Sequence, residues 1–231
     1  MDHCWQSYDA WVAHFDLLGF KAKLKTLPIS ILQEEVDEIV KSFQAEAKEF
    51  EKNVDYLFYA DTFIFYSKSD ENKDYPGLLH VATHFMEKCI YKGIALRGAI
   101  SFGEIAVGYD KRIMIGDAFL DSHQHGEDQD WLGLILTPTA SNRLKAVKLD
   151  PARQGFVYGK TPRRECSKSN DEVYAYSFCR GVSNFPCPLL HKLKEMQLLS
   201  PEDAKLKYEN TIRFIEKHWR MVQSRPQHLT E

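Results

Sequence analysis

An α+β fold, with helices laid over a mostly antiparallel sheet, is what this sequence predicts, and three observations predict it. Runs rich in aromatic and β-branched residues recur along the chain, at Trp11 to Phe15, Tyr56 to Tyr66 and Ile94 to Phe102. Between them lie stretches with apolar residues at helical spacing, 29–51 and 76–93. Finally, the segments alternate as strand, helix, strand pair, helix, strand, helix, strand.

Each element has a local reason. The first strand, from Trp11, runs into Asp16, and Leu17 to Phe20 form a glycine turn before a basic helical run with Lys21, Lys23 and Lys25. In the next helix, 29–51, Leu32, Val36, Ile39, Val40 and Phe43 make one apolar face among charged residues. Tyr56 to Tyr66 reads as a buried strand or hairpin with Asp61 in its middle. After a polar loop, the helix 76–93 buries Leu78, Leu79, Ala82, Phe85, Met86 and Ile90 and stops at Gly93. Ile94 to Phe102 is a strand, turning at Gly103 into a short strand 104–108. Gly116 opens a third helix, Trp131 to Leu136 is a buried strand, and 137–147 starts another helix at its Pro. Strands at 155–158 and 173–178 flank a basic loop with Lys160, Arg163 and Arg164. That order is a ferredoxin-like βαββαβ core with additions, helices covering one face of the sheet. Pro186 and Pro188 mark a boundary. Beyond it, 189–199 and 201–222 read as two amphipathic helices, the second started by Ser200 and Pro201 and packing through Leu206, Ile212, Ile215 and Trp219. The expected division is 1–185 for the main domain and 186–231 for a helical C-terminal extension packed on it.

Composition narrows the function classes. The 231 residues suffice for a sizeable core, and 44% hydrophobic with 13% aromatic residues fit a folded globular protein. A formal net charge of −3 gives no case for nucleic-acid binding. The start, MDHCWQSYD, lacks the basic and apolar runs of a signal peptide, and no window approaches the roughly 20 apolar residues of a membrane span. A soluble, cytoplasmic protein is expected. Five widely spaced cysteines without a CxxC pair read as reduced thiols rather than a zinc or disulfide framework. His123 and His125 flank Gln124, but on a helix their rings diverge, so a polar helix face is the expectation.

Two carboxylates carry the chemistry. An Asp at the carboxyl end of a strand, followed by a glycine turn and a helix, can cap that helix or hold a divalent cation beside phosphate-binding amides. The second stretch decides between these. An unpaired carboxylate within the aromatic run 56–66 is costly to bury, so Asp61 needs a partner or a metal. Asp16 and Asp61 together suggest a two-metal site whose hard oxygen ligands select Mg²⁺ or Mn²⁺.

FDLLGF (Phe15 to Phe20), ADT (Ala60 to Thr62), LRGAISFG (Leu96 to Gly103) and IGDAF (Ile115 to Phe119), in that order, resemble the motifs of class III nucleotidyl cyclase catalytic domains. Within that family FDLLGF, LRGAISFG and WLGLIL look most like the stand-alone bacterial pyrimidine cyclases of Pycsar anti-phage systems. The resemblance spans Trp11 to Phe178. It implies two divalent ions per site, Mn²⁺ or Mg²⁺, held by Asp16 and Asp61 with Leu17 alongside. One ion lowers the pKa of the ribose 3′-hydroxyl and the other neutralises the leaving pyrophosphate. Turn amides from Leu17 through Gly19 to Phe20 would meet the β- and γ-phosphates. It also implies a head-to-tail homodimer with two composite sites, and a separate effector that senses the cyclic product.

Departures from the family bear on substrate and rate. The base-reading Lys of purine cyclases falls on Leu57 and its partner Asp near Ile113, so the adenine-reading pair is absent. Tyr59, on the face of Leu57 by strand alternation, is the candidate base contact, by packing or by a phenol hydrogen bond. The family's transition-state Asn and Arg fall on Leu120 and Gln124. A missing transition-state arginine costs roughly 10³ to 10⁵ in rate unless replaced. Arg97, Arg112, Lys160 and Arg163 are candidate replacements, with Arg97 grouped with Asp16 and Asp61 as catalytic. The expectation is a metal-dependent cyclase that converts UTP, or CTP, to the 3′,5′-cyclic monophosphate. The alternatives are a catalytically degenerate nucleotide-binding cyclase fold and an adenylate cyclase. Asp→Asn changes at either metal position should leave the fold intact, with relief of carboxylate repulsion favouring the metal-free protein.

Overall fold

The periodicities resolve into one sheet. A computed structural model describes residues 5–47, 53–71, 73–108, 113–167, 171–178 and 188–223. The first strand, β1 (Gln6–Leu17), is buried on both faces, which is why its apolar run hardly alternates. Trp11, Ala13, Phe15 and Leu17 enter the main core, whereas Ala10 and Val12 enter a smaller cluster on the opposite face. His14 and Asp16 continue that second face. Then come α1 (Phe20–Thr26) and α2 (Ile29–Ala47), followed by β2 (Val54–Tyr59) and β3 (Thr62–Ser67). The expected helix to residue 51 is therefore described as far as Ala47, and 48–52 lie outside the described residues.

The rest of the core follows as α3 (Asp74–Tyr91) and β4 (Leu96–Gly108). The expected turn at Gly103 is absent: β4 runs straight through it, because β1 extends back to Gln6 and pairs with it as far as Val107. Beyond β4 come β5 (Ile113–Ile115), α4 (Asp117–Glu127), β6 (Leu134–Leu136), α5 (Pro138–Ala146), β7 (Phe156–Gly159) and β8 (Val173–Tyr176). Thr137 caps α5, its hydroxyl accepting from the Ala140 N–H, with Pro138 in the first turn where no donor is lost.

The sheet order is β2-β3-β1-β4-β6-β8-β7, with β5 paired to β4. The β4–β6 pair is parallel and the other described pairs are antiparallel. Strands β2, β3, β1 and β4 with the helices between them form the expected βαββαβ core. Its close approach of β1 to β4 needs Gly98, where a Cβ would meet the Phe15 ring at 2.5 Å and the His14 carbonyl at 2.6 Å.

Helices do not cover one face only. Buried residues of α3 and α5 pack in the main core, but α4 crosses the other face: Ala118 joins the smaller cluster and its carbonyl accepts from Ser101 Oγ at 2.6 Å. The final helices are α6 (Pro188–Leu199) and α7 (Glu202–Gln223). Ile212, Ile215 and Trp219 pack into the main core as expected, but Leu206 is 52% exposed. The docking side of α7 is set by Tyr208 and Thr211 instead; Thr211 Oγ1 accepts the Leu132 N–H at 2.8 Å.

Candidate active site

The register of β1 brings three sequence-predicted residues together. Asp16 lies opposite Thr62 on β3 and opposite Arg97 on β4. Asp61 immediately precedes Thr62, and its carbonyl accepts the Leu17 N–H at 2.8 Å. Adjacent strands lie roughly 5 Å apart, so Asp16 and Asp61 meet at one end of the sheet.

Of the two readings of 56–66, strand or hairpin, the hairpin forms, and Asp61 is less buried than expected. It sits with Ala60 in the two-residue turn between β2 and β3, half-buried, and its carboxylate has no partner among the described residues. The turn holds Ala60 at φ 57°, a left-handed conformation that costs a non-glycine residue roughly 1–2 kcal/mol. Burial therefore does not force a partner on Asp61.

Asp16 does have a partner. Arg97 Nη2 and Nε donate to its Oδ2 at 2.8 and 3.1 Å. The Arg97 side chain is 2% exposed and that of Asp16 is 21% exposed. Arg97 Nη1 donates to the carbonyls of Glu127 and Gln129 at 2.9 and 2.8 Å. This arginine is thus committed to four hydrogen bonds inside the fold and does not project toward a ligand. Asp16 Oδ1 takes none of these bonds.

The turn after β1 offers less than its sequence promised. The Leu17 N–H goes to Asp61 and the Leu18 N–H to the Ala95 carbonyl at 2.8 Å, so neither amide is left for a phosphate. Gly19 is exposed at φ 80°, a position that favours glycine, and leads into Phe20 at the start of α1. The Leu17 side chain is in the core, which leaves its carbonyl as its only candidate metal donor. Asp16 Oδ1, the Asp61 carboxylate and that carbonyl are all hard oxygen donors, which fits Mg²⁺ or Mn²⁺. Among the described residues no cluster of three His, Cys, Asp or Glu exists, so a metal would rest on the two aspartates plus backbone or substrate oxygens.

The remaining candidates lie outside this group. Leu57 packs at the edge of the small cluster with Tyr8, Met114 and Phe119. Tyr59, two residues on, is 83% exposed. Leu120 and Gln124 are exposed on the outer side of α4. Ile113 is exposed on β5, and Arg112 lies outside the described residues. Lys160 is exposed past the end of β7. Arg163 pairs through its backbone with Gln129, and its three guanidinium nitrogens are buried without a hydrogen-bond partner among the described residues.

The two α4 histidines differ as their divergent directions require. His123 packs edge-on against His14, ring centroids 4.9 Å apart. His14 is buried, and burial, then His123 and Arg97, push its pKa down to about 3, so it is neutral. His125 Nδ1 meets Asp121 Oδ1 at 3.1 Å. Its pKa is raised by that hydrogen bond against the opposing effect of burial. Burial pushes the Asp121 carboxyl up, but hydrogen bonds from His125, Thr139 and Thr137 outweigh it and hold the carboxyl below its ordinary value. Sequence reading missed Glu127, which acts through its backbone carbonyl, and Gln129, which adds a buried side-chain bond from Nε2 to the Gly98 carbonyl. The free cysteines are Cys89, buried, and Cys166, exposed, among the described residues.

No protein-family model matches the chain. No curated protein matches it either. Solved structures do. The catalytic core of a rhodopsin-guanylyl cyclase with converted specificity, in complex with ATPαS, superposes with a TM-score of 0.58 at 14% identity, over 74% of this chain and 97% of that one. The guanylate cyclase domain of a rhodopsin-guanylyl cyclase from Catenaria anguillulae, in complex with GTP, gives 0.57 at 14% identity, over 74% and 97%. A bacterial light-regulated adenylyl cyclase gives 0.51 at 11% identity, over 95% of this chain and 59% of that one. The likeness is one of backbone architecture, and by it this chain has the fold of nucleotide cyclase catalytic domains.

Proposed function

We propose that this protein is a divalent-metal-dependent nucleotide cyclase that converts UTP, or CTP, to its 3′,5′-cyclic monophosphate and pyrophosphate. The observation that carries the reading is the meeting of Asp16 and Asp61 at one end of a cyclase-fold sheet, each with carboxylate oxygen left free. Two Mg²⁺ or Mn²⁺ ions, when bound there, would supply activation of the 3′-hydroxyl and charge neutralisation on the leaving pyrophosphate. The chain's own part is to hold the two carboxylates at that end of the sheet and to leave Gly19 and Phe20 at the adjoining turn. Apolar Leu57 and Ile113 at the purine-reading positions support the pyrimidine choice, since neither side chain can hydrogen-bond an adenine edge.

The exposed apolar residues Tyr59, Ile115 and Leu120 on the face around β2, β5 and α4 support a homodimer whose composite sites span two chains. Residues 1–185 would form the catalytic unit and 186–231 the extension. The resemblance to pyrimidine cyclases supports a cytoplasmic role in anti-phage signalling, the cyclic product being read by a separate effector. A second reading, nucleotide binding without turnover, is favoured by exposed Leu120 and Gln124 where a cyclase places Asn and Arg. Incubating the protein with all four nucleoside triphosphates and Mn²⁺, then identifying products by mass, separates the two. Cyclic UMP or CMP is expected; binding with no cyclic product would establish the second reading.

A further inference from the structure

We infer that Arg97 is a positioning residue: a buried strut that fixes the orientation of Asp16 as a metal ligand and ties it to the end of α4. The inference rests on the metal-site reading above but assigns Arg97 a role other than contact with substrate.

Three features carry it. First, a fully buried guanidinium is costly unless its charge is paired and its donors are used. Arg97 meets both conditions with groups of its own chain, through two bonds to Asp16 and two to backbone carbonyls. Second, both bonds to Asp16 fall on Oδ2. A fork-to-fork pair would occupy both carboxylate oxygens. This side-on arrangement takes one oxygen, sets the plane of the carboxylate and leaves Oδ1 for a cation. Third, the far side of the guanidinium is anchored. Glu127 closes α4, where helix carbonyls lack intrahelical partners and favour a cation. Buried Gln129 closes the loop, its Nε2 donating to the carbonyl of Gly98 at 2.8 Å, next to Arg97 on β4. Because Asp16 and Arg97 are direct cross-strand partners, the sheet register itself sets their meeting. Groups of this kind, which orient a metal ligand, typically change metal affinity 10- to 100-fold when lost.

The test reads metal binding directly. Mn²⁺ binding is followed by electron paramagnetic resonance in the presence of 3′-deoxy-UTP, which cannot cyclise. Wild type should bind, and Arg97→Lys, folded by circular dichroism, should bind Mn²⁺ about 10- to 100-fold more weakly. A folded Arg97→Lys protein with lower thermal stability but unchanged Mn²⁺ affinity would overturn the inference and leave the metal site standing. Failure of wild type to bind Mn²⁺ would overturn the metal-site reading and the strut with it. Should Arg97→Lys not fold, the wild-type protein decides. The Arg97 Nε–H nuclear magnetic resonance signal should stay protected from solvent exchange both metal-free and with Mg²⁺ and 3′-deoxy-UTP. Loss of protection on loading would show that Arg97 lets go of Asp16, and the inference would fail.

Discussion

Asp16→Asn should destabilise the metal-free protein, whereas Asp61→Asn should not. Replacing Asp16 removes the carboxylate that, among the described residues, pairs with a guanidinium that is 2% exposed. Breaking a buried ion pair from one side typically costs about 3–5 kcal/mol, because the remaining charge is left uncompensated. Two features reduce the loss here. Asp16 retains 21% exposure, and an asparagine oxygen still accepts from Arg97. A loss of about 2 kcal/mol follows, which in a domain of this size lowers the melting temperature by about 4–8 °C. Asp61 has no side-chain partner among the described residues, so its substitution should stay within about 0.5 kcal/mol. The sequence-based expectation that both substitutions spare the fold thus survives at Asp61 alone, since any repulsion between the carboxylates is already offset at Asp16 by Arg97. Calorimetry of wild type and both variants in EDTA measures the difference. Equal melting temperatures for the two variants would refute the argument.

Three more outcomes follow from particular residues. Tyr59→Ala should weaken preference for UTP or CTP over ATP in product assays while leaving the melting temperature unchanged, because the ring is exposed; unaltered base preference would remove Tyr59 from the base contact. The raised pKa of His125 makes its stabilising contribution complete below 6.5 and lost as pH rises through the higher folded value. His125→Gln should therefore cost more stability at about pH 6 than at about pH 9, and a pH-independent cost would count against the Asp121 pairing. Ala60→Gly should stabilise the fold by up to about 1 kcal/mol by relieving the left-handed turn, and a lowered denaturation midpoint would contradict that.

Much of the architecture was legible in the chain because it is locally encoded. Aromatic and β-branched runs located β1 and the β2–β3 pair, helical spacing located α2, α3 and α7, and Thr137-Pro138 announced the start of α5. The sequence also singles out Asp16 and Asp61 as carboxylates beside aromatic and β-branched runs, and their metal-binding role belongs to the proposed function. What the sequence by itself determined was the class of fold and the order of its main elements. Tertiary structure decided how the candidate residues stand. The run 56–66 read equally as a strand or a hairpin; the chain reverses at Ala60, so the hairpin forms and Asp61 stands half-buried in its turn. Arg97 looked like a free cation for catalysis, but β1–β4 register sets it against Asp16, and α4 ends where its other nitrogens need acceptors. The Leu17 and Leu18 amides looked available, but Asp61 and Ala95 take them. The Arg97 and amide contacts depend on partners distant in sequence and in part on backbone carbonyls, which every residue carries alike. A hydrogen bond to such a group leaves no mark on the sequence, so only the packed sheet reveals which donors are already spent.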